Sequence, residues 1–205
     1  MTWTTDGFLD GRLQIRQPAA GFRAGSDAVL LAAAVDARPA QSVLDVGAGV
    51  GTAGLCLKYR LRNCNLVGLE MQNALLSAAE DNAAANDLQQ GTQFHLVNIA
   101  RRADFKGLKA PDGRDFLEFG FDHVISNPPF YAEGRAQASP SEVRTAAHIE
   151  GDADLADWIR FCVARLKPKG CFSLIHRTDR LAEILALMGE KCGGIRVLPL
   201  WPASD

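Results

Sequence analysis

Apolar positions along this chain fall into short runs with period two or no break, separated by longer stretches with helical period. At 8–18, FLDGRLQIRQP, Leu13 and Ile15 alternate with polar residues behind Asp10-Gly11, a favoured two-residue turn, which predicts a small hairpin. GSDAVLLAAAVDA, 25–37, predicts a helix that starts near Ser26 or Asp27 and is closed by Pro39. A regular alternation follows. SVLDVGAGVG (42–51) reads as a strand and a glycine turn, TAGLCLKYRL (52–61) as a helix, NLVGLE (65–70) as a strand ending in an acid, and NALLSAAEDNAAAND (73–87) as a helix. TQFHLVNI (92–99) and FDHVIS (121–126) read as strands on either side of a polar stretch, 100–118. After a long loop, 131–151, LADWIRFCVARL (155–166) reads as a helix ended by the turn KPKG (167–170). CFSLIHR (171–177) is then a strand, RLAEILALMGEKC (180–192) a helix and IRVLPLW (195–201) a strand.

Strands alternating with helices of this length imply an α/β fold with a mostly parallel sheet and helices on both faces. The expected organisation is a single domain over 1–205, with the hairpin and first helix (1–38) flanking a core at 39–205. Composition narrows the partners. With 47 % hydrophobic and 22 % charged residues and a net charge of −2, the chain has no global basic field to advertise nucleic acid or an anionic membrane, although a basic patch can be local. Its five cysteines include no C-x-x-C pair, which suits reduced thiols in a cytoplasmic protein. His95, His123, His148 and His176 have no metal-ligand spacing, so no metal is expected. The N-terminus lacks the pattern of a signal peptide, and no apolar run is long enough to span a membrane.

The glycine turn brings in the first chemistry. Gly47, Gly49 and Gly51 follow a strand and precede a helix, where glycine permits a tight turn and a close approach of ligand to backbone. The spacing is G-x-G-x-G, since position 52 is Thr, and alone it is a weak signal. Glu70 closes the next strand, where a carboxylate can accept both ribose hydroxyls of an adenosine; a solvated strand-end acid is the plainer alternative. Two adenosine cofactors fit such a site, a nicotinamide dinucleotide and S-adenosylmethionine. Asp45 favours the second, because a carboxylate repels a pyrophosphate and suits a positively charged amino group. Asn98, at the end of the third strand, can hydrogen-bond an adenine edge or make a local turn bond.

The second site feature is Asn127-Pro128-Pro129-Phe130 at the end of the fourth strand. Two successive prolines cannot continue a sheet. In an open parallel sheet the ligand crevice lies beyond the C-terminal strand ends, at the switch in strand order. The first and fourth strands are expected to flank that switch, so both motifs face one crevice. An aromatic amine is a poor nucleophile that needs two acceptors rather than a base. The Asn127 side-chain oxygen and the Pro128 carbonyl can accept its two N–H groups, and the prolines fix the carbonyl's direction. Phe130 or Tyr131 offers a flat face on which a base can stack. Arg144 and His148, in the following loop, are candidates for phosphate or substrate contact. The basic residues of 100–118, Arg101, Arg102, Lys106, Lys109 and Arg114, are diluted by Asp104, Asp112 and Asp115 and read as a solvated loop.

VLDVGAGVG, GLE and NPPF resemble the motifs of class I S-adenosylmethionine-dependent methyltransferases, specifically the amino-methylating N-P-P-F/Y group. FLDGRLQIRQPAAGFRAGSDAVLLAAAV resembles the N-terminal signature of bacterial tRNA1(Val) adenine-37 N6-methyltransferase-like proteins, a family also labelled predicted O-methyltransferases. The resemblance implies a Rossmann-like fold, S-adenosylmethionine as cofactor and a tRNA adenine as acceptor. It implies that Asp45, Gly47, Gly49, Glu70 and Asn98 bind the cofactor, bordered by Gly25 and Asp27, and that Asn127, which also meets the cofactor, holds the target amine with Pro128, Pro129 and Phe130. Transfer to a small molecule or hydroxyl, and a non-catalytic cofactor-binding module, are the alternatives. The fold of that class ends in a strand hairpin, and here the expected hairpin is incomplete, because PLWPASD follows the penultimate strand directly.

Overall fold

The computed structural model describes residues 2–21, 23–128, 153–189 and 191–201. Strands β1, Trp3–Phe8, and β2, Leu13–Pro18, pair antiparallel from Trp3↔Pro18 to Phe8↔Leu13. Their connection is four residues, in which Leu9, Asp10 and Gly11 all take left-handed φ, so Asp10-Gly11 is the centre of a longer turn than its sequence predicts. Leu13 and Ile15 are fully buried, as their alternation requires. Helix α1, Ser26–Ala34, follows.

Strand β3, Ser42–Val46, is buried at every residue, so it needs cover on both faces. It is the centre of a five-stranded sheet of order β5-β4-β3-β6-β7, with β4 Asn65–Glu70, β5 Thr92–Leu96, β6 Phe121–Ser126 and β7 Leu166–Leu174, each pair parallel. Helices α2, Thr52–Arg60, and α3, Asn73–Ala85, lie with α1 and the hairpin on one face, packed around Val43, Leu55, Leu57 and Ile125. The other face buries Leu44, Val46, Val67 and Val124 under Phe105 and Phe116 of the 100–118 stretch, under Phe119 just after it, and under Cys162 of α4, Leu155–Ala164. Helix α5, Leu181–Gly189, packs on α4 through Ile184 and Met188. Among the described residues no helix is long and apolar enough to cross a membrane.

Two elements depart from the sequence pattern. KPKG is not a turn before β7 but part of it. Between the pairs Phe121↔Leu166 and His123↔Cys171, β6 advances two residues and β7 five, so the extra residues bulge out of the ladder. Lys169 takes φ 67° there, and a Cβ on Gly170 would stand 3.0 Å from the carbonyls of Lys167 and Phe121. IRVLPLW is not a strand: 195–201 pairs with nothing in the sheet, and Leu198 and Trp201 are 76 % and 87 % exposed. Neither strand of a terminal hairpin occurs among the described residues.

The hairpin is held by side-chain amides. Asn86, the C-cap of α3, accepts from Gln14 N at 2.8 Å and donates to Gln14 O at 2.7 Å, and Asn82 of α3 does the same with Arg16 at 2.7 and 3.0 Å. Spaced by four residues, the two amides stand on one helix face and replace a neighbouring strand along β2. Asn82 also donates to Val50 O at 2.9 Å, which ties the hairpin to the glycine turn. Asn82→Ala removes all three bonds and leaves backbone groups of Arg16 and Val50 without partners. Urea unfolding is expected to show a loss of about 2–4 kcal/mol; a loss under about 0.5 kcal/mol would mean that apolar contacts alone hold β2.

Candidate active site

Strand order reverses between β3 and β6, and the conspicuous sequence features gather at their C-terminal ends. The turn after β3 is built on left-handed glycines: Gly47, Gly49 and Gly51 have φ of 73°, 58° and 85°. A Cβ would be strained at each. Gly47 N and Ala48 N both donate to Leu69 O at 2.9 Å, anchoring the turn to β4, and Gly51 is the N-cap of α2.

Glu70 ends β4, buried beside this turn. Its Oε2 accepts Gly49 N at 2.9 Å and its Oε1 accepts Gln72 N at 2.8 Å. One carboxylate thus braces the glycine turn and the start of α3. Burial raises its pKa, opposed by those backbone hydrogen bonds. Asp45, 2 % exposed, turns its Oδ2 to Gly54 N in the first turn of α2, at 3.0 Å. Burial pushes its carboxyl up to about 7, against the Gly54 hydrogen bond and with a further push from Glu70. Met71 is 52 % exposed directly after Glu70, and Leu96 is 50 % exposed at the paired end of β5. Two apolar side chains are thus left open at the strand ends that carry the acid, a feature no sequence motif announces.

Asn98 lies two residues beyond β5. Its Oδ1 accepts Ala100 N at 3.0 Å and its own N–H donates to Asp104, so a local turn bond is formed. Across the switch point, Ser126 and Asn127 close β6. Asn127 Oδ1 is buried and has no hydrogen-bond partner among the described residues. Pro128 is buried behind it. Pro129, Phe130, Tyr131, Arg144 and His148 lie outside the described residues.

Gly25 and Asp27 lie at the start of α1. Gly25 caps α1 with extended backbone and open space around it. Asp27 lines a cavity of about 350 Å³ with Ile175, His176, Arg177 and Asp179, to which none of Asp45, Gly47, Gly49, Glu70 or Asn127 contributes. Of the basic stretch, Lys109 pairs with Asp115 and Arg114 with Asp112, as the interleaved acids foretell. Among the described residues no three His, Cys, Asp or Glu side chains form a cluster able to hold a metal ion.

Sequence reasoning passes over two residues here. Trp158, from α4, donates its indole N–H to Ser126 Oγ at 2.7 Å, and Ser126 Oγ donates to Val46 O at 2.8 Å. A tryptophan on the apolar face of an amphipathic helix reads simply as core, and a strand-end serine carries no signal.

Sheet order, glycine turn and strand-end acid define a Rossmann-like methyltransferase fold. A predicted O-methyltransferase from Agrobacterium tumefaciens, known as a crystal structure, superposes with TM-score 0.57 at 26 % identity over 80 % of this chain and 67 % of its own. A second methyltransferase from that organism gives 0.60 over 92 % and 57 % at 16 % identity, a likeness of fold alone. Residues 23–148 match the family model described as methyltransferase small domain; the chain belongs to that family and is an S-adenosylmethionine-dependent methyltransferase. The tRNA1(Val) (adenine(37)-N6)-methyltransferase of Porphyromonas gingivalis is 29 % identical over 205 residues, 95 % of this chain and 76 % of that protein. Its counterpart in Shewanella baltica is 31 % identical over 173 residues, 81 % and 66 % of the two chains.

Proposed function

We propose that this enzyme methylates the exocyclic N6 amine of an adenine in tRNA, in the cytoplasm. The observation that carries the reading is Asn127 Oδ1, a buried acceptor without a partner among the described residues, placed across the switch point from the glycine turn. An unmatched buried acceptor is costly unless something donates to it, and an adenine amine donates.

The residues at the strand ends suit S-adenosylmethionine. Positive φ at Gly47 and Gly49 keeps side chains off the turn, Glu70 retains lone pairs for ribose hydroxyls, and Met71 and Leu96 offer apolar surface for a purine. Asp45, whose buried carboxyl ionises more readily beside a cation, supplies negative charge to the donor's ammonium, Asn98 stands at the adenine side, and Gly25 and Asp27 border the pocket. The bound cofactor supplies an electrophilic methyl on a sulfonium sulfur. The protein's part is to orient the nucleophile. Asn127 Oδ1 accepts one N–H of the amine, the Pro128 carbonyl accepts the other, and the nitrogen lone pair is drawn out of conjugation towards the methyl. Pro129 fixes that carbonyl, and Phe130 or Tyr131 stacks on the base. Arg144 and His148 contact the flanking backbone. Hydrogen bonds aimed in advance lower the barrier without a base before attack; as the amine's N–C bond formed, the methyl–sulfur bond would break to leave a neutral thioether, and the amine's surplus proton would pass to solvent. A single-stranded loop lets the adenine leave its stack cheaply.

The relatives named as tRNA1(Val) adenine-37 N6-methyltransferases support this substrate. The experiment is transfer of labelled methyl to bulk tRNA followed by nucleoside analysis. N6-methyladenosine is expected. Label on a ribose or a small-molecule hydroxyl, or no label in any tRNA, would refute it.

A further inference from the structure

We propose that Trp158 is a positioning residue for methyl transfer, setting Asn127 against the glycine turn through Ser126; the inference rests on the function proposed above. An indole N–H can only donate. Ser126 Oγ accepts it at 2.7 Å, and its own proton goes to Val46 O at 2.8 Å. The relay therefore runs one way, from Trp158 through Ser126 to the last residue of β3. Ser126 is fully buried and is the residue immediately before Asn127. Its backbone carbonyl accepts Ile175 N at 3.2 Å, so the end of β6 is gripped on both sides.

The same indole lies on the glycine turn. A Cβ on Gly47 would stand 2.8 Å from Trp158 Cζ2 and 3.2 Å from Cη2, so the ring rests against the Gly47 backbone. One side chain thus touches both banks of the switch point, bonding to the strand end that presents Asn127 and packing on the turn assigned to the cofactor. Displacements well under an ångström between donor and acceptor alter transfer rates strongly. A tryptophan that merely filled the core would affect stability and leave the geometry between the two motifs alone.

The test uses Ser126→Ala, Trp158→Phe and the double variant. Phenylalanine keeps an aromatic ring beside Gly47 without the N–H; alanine removes one buried oxygen and leaves the ring. Each single variant is expected to lower kcat on tRNA about tenfold with the KM for either substrate changed less than about twofold. The double variant should be no slower than the singles, because both cut one relay. Unchanged kcat, or multiplied effects in the double variant, would overturn the proposal. A second readout needs no tRNA. In wild-type protein, S-adenosylhomocysteine should shift the NMR signals of both the Trp158 indole N–H and the Asn127 side-chain amide. In Ser126→Ala the indole should still respond and the Asn127 amide should cease to follow; an amide that still follows refutes the relay. If wild-type enzyme methylates no tRNA, the substrate assignment fails while the NMR comparison still decides the relay. If Trp158→Phe fails to fold, Ser126→Ala decides alone.

Discussion

Asn127→Ala is expected to reduce methyl transfer about a hundredfold to a thousandfold, the scale for loss of one preorganised hydrogen bond to a reacting group. The affinity for S-adenosylmethionine should change by less than about threefold, because Gly47, Gly49 and Glu70 are untouched and one contact at the edge of the donor is a small part of its binding. The fold should not suffer. In the wild type Asn127 Oδ1 is buried without a partner among the described residues, so alanine removes an unsatisfied acceptor and folding stability should stay level or rise. A variant that was inactive and also badly destabilised would show that Asn127 holds the strand end and not the amine. Single-turnover transfer, calorimetric titration with the donor and urea unfolding on one preparation separate these outcomes.

Asp45 gives the second large effect, in stability against pH. Its carboxyl loses its proton at 3.8 in the ordinary state and near 7 when buried in the folded chain. Between those values the folded state holds a proton that the unfolded state has released. Stability therefore falls as pH rises through that window and levels off above it, by about 4 kcal/mol from this group. Glu70, also raised by burial, acts in the same direction. Asp45→Asn keeps an oxygen for Gly54 N and cannot ionise. Its stability advantage over wild type should be small near pH 4, grow towards pH 7 and then stay constant. Urea unfolding at several pH values measures the difference, and a constant gap between pH 4 and 8 would sink the account.

The architecture was legible because it rests on periodicity. A mainly apolar β3 and its regular alternation with helices lead to a parallel sheet, and the placement of Asn127 opposite the glycine turn follows from strand order alone. What escaped depends on partners that a linear pattern does not contain. Pro168 and Gly170 look like turn punctuation, yet the chain passes from Arg165 straight into β7, Phe121 N donating to Arg165 O, and the awkward residues are accommodated as a bulge. IRVLPLW has strand composition, but a strand exists only where a ladder receives it, and none does here. Asp45 was legible as an acid at the turn; that its Oδ2 would point to Gly54 depends on which face of β3 it occupies. The Asn82–Asn86 spacing was visible, but only tertiary structure gives those amides the backbone of β2 to bind.

That last arrangement orders events in time. The bonds that hold β2 reach across 66 and 72 residues of chain. A polypeptide made from its N-terminus releases the hairpin long before Asn82 and Asn86 exist. A lone two-stranded ribbon is barely stable in water, so Leu13 and Ile15 wait, exposed, until α3 has been synthesised and folded against the sheet. The hairpin thus emerges before the amides that secure it, and one of them, Asn82, also donates to Val50 O at the glycine turn. Assembly of the glycine turn is thereby coupled to the arrival of the hairpin.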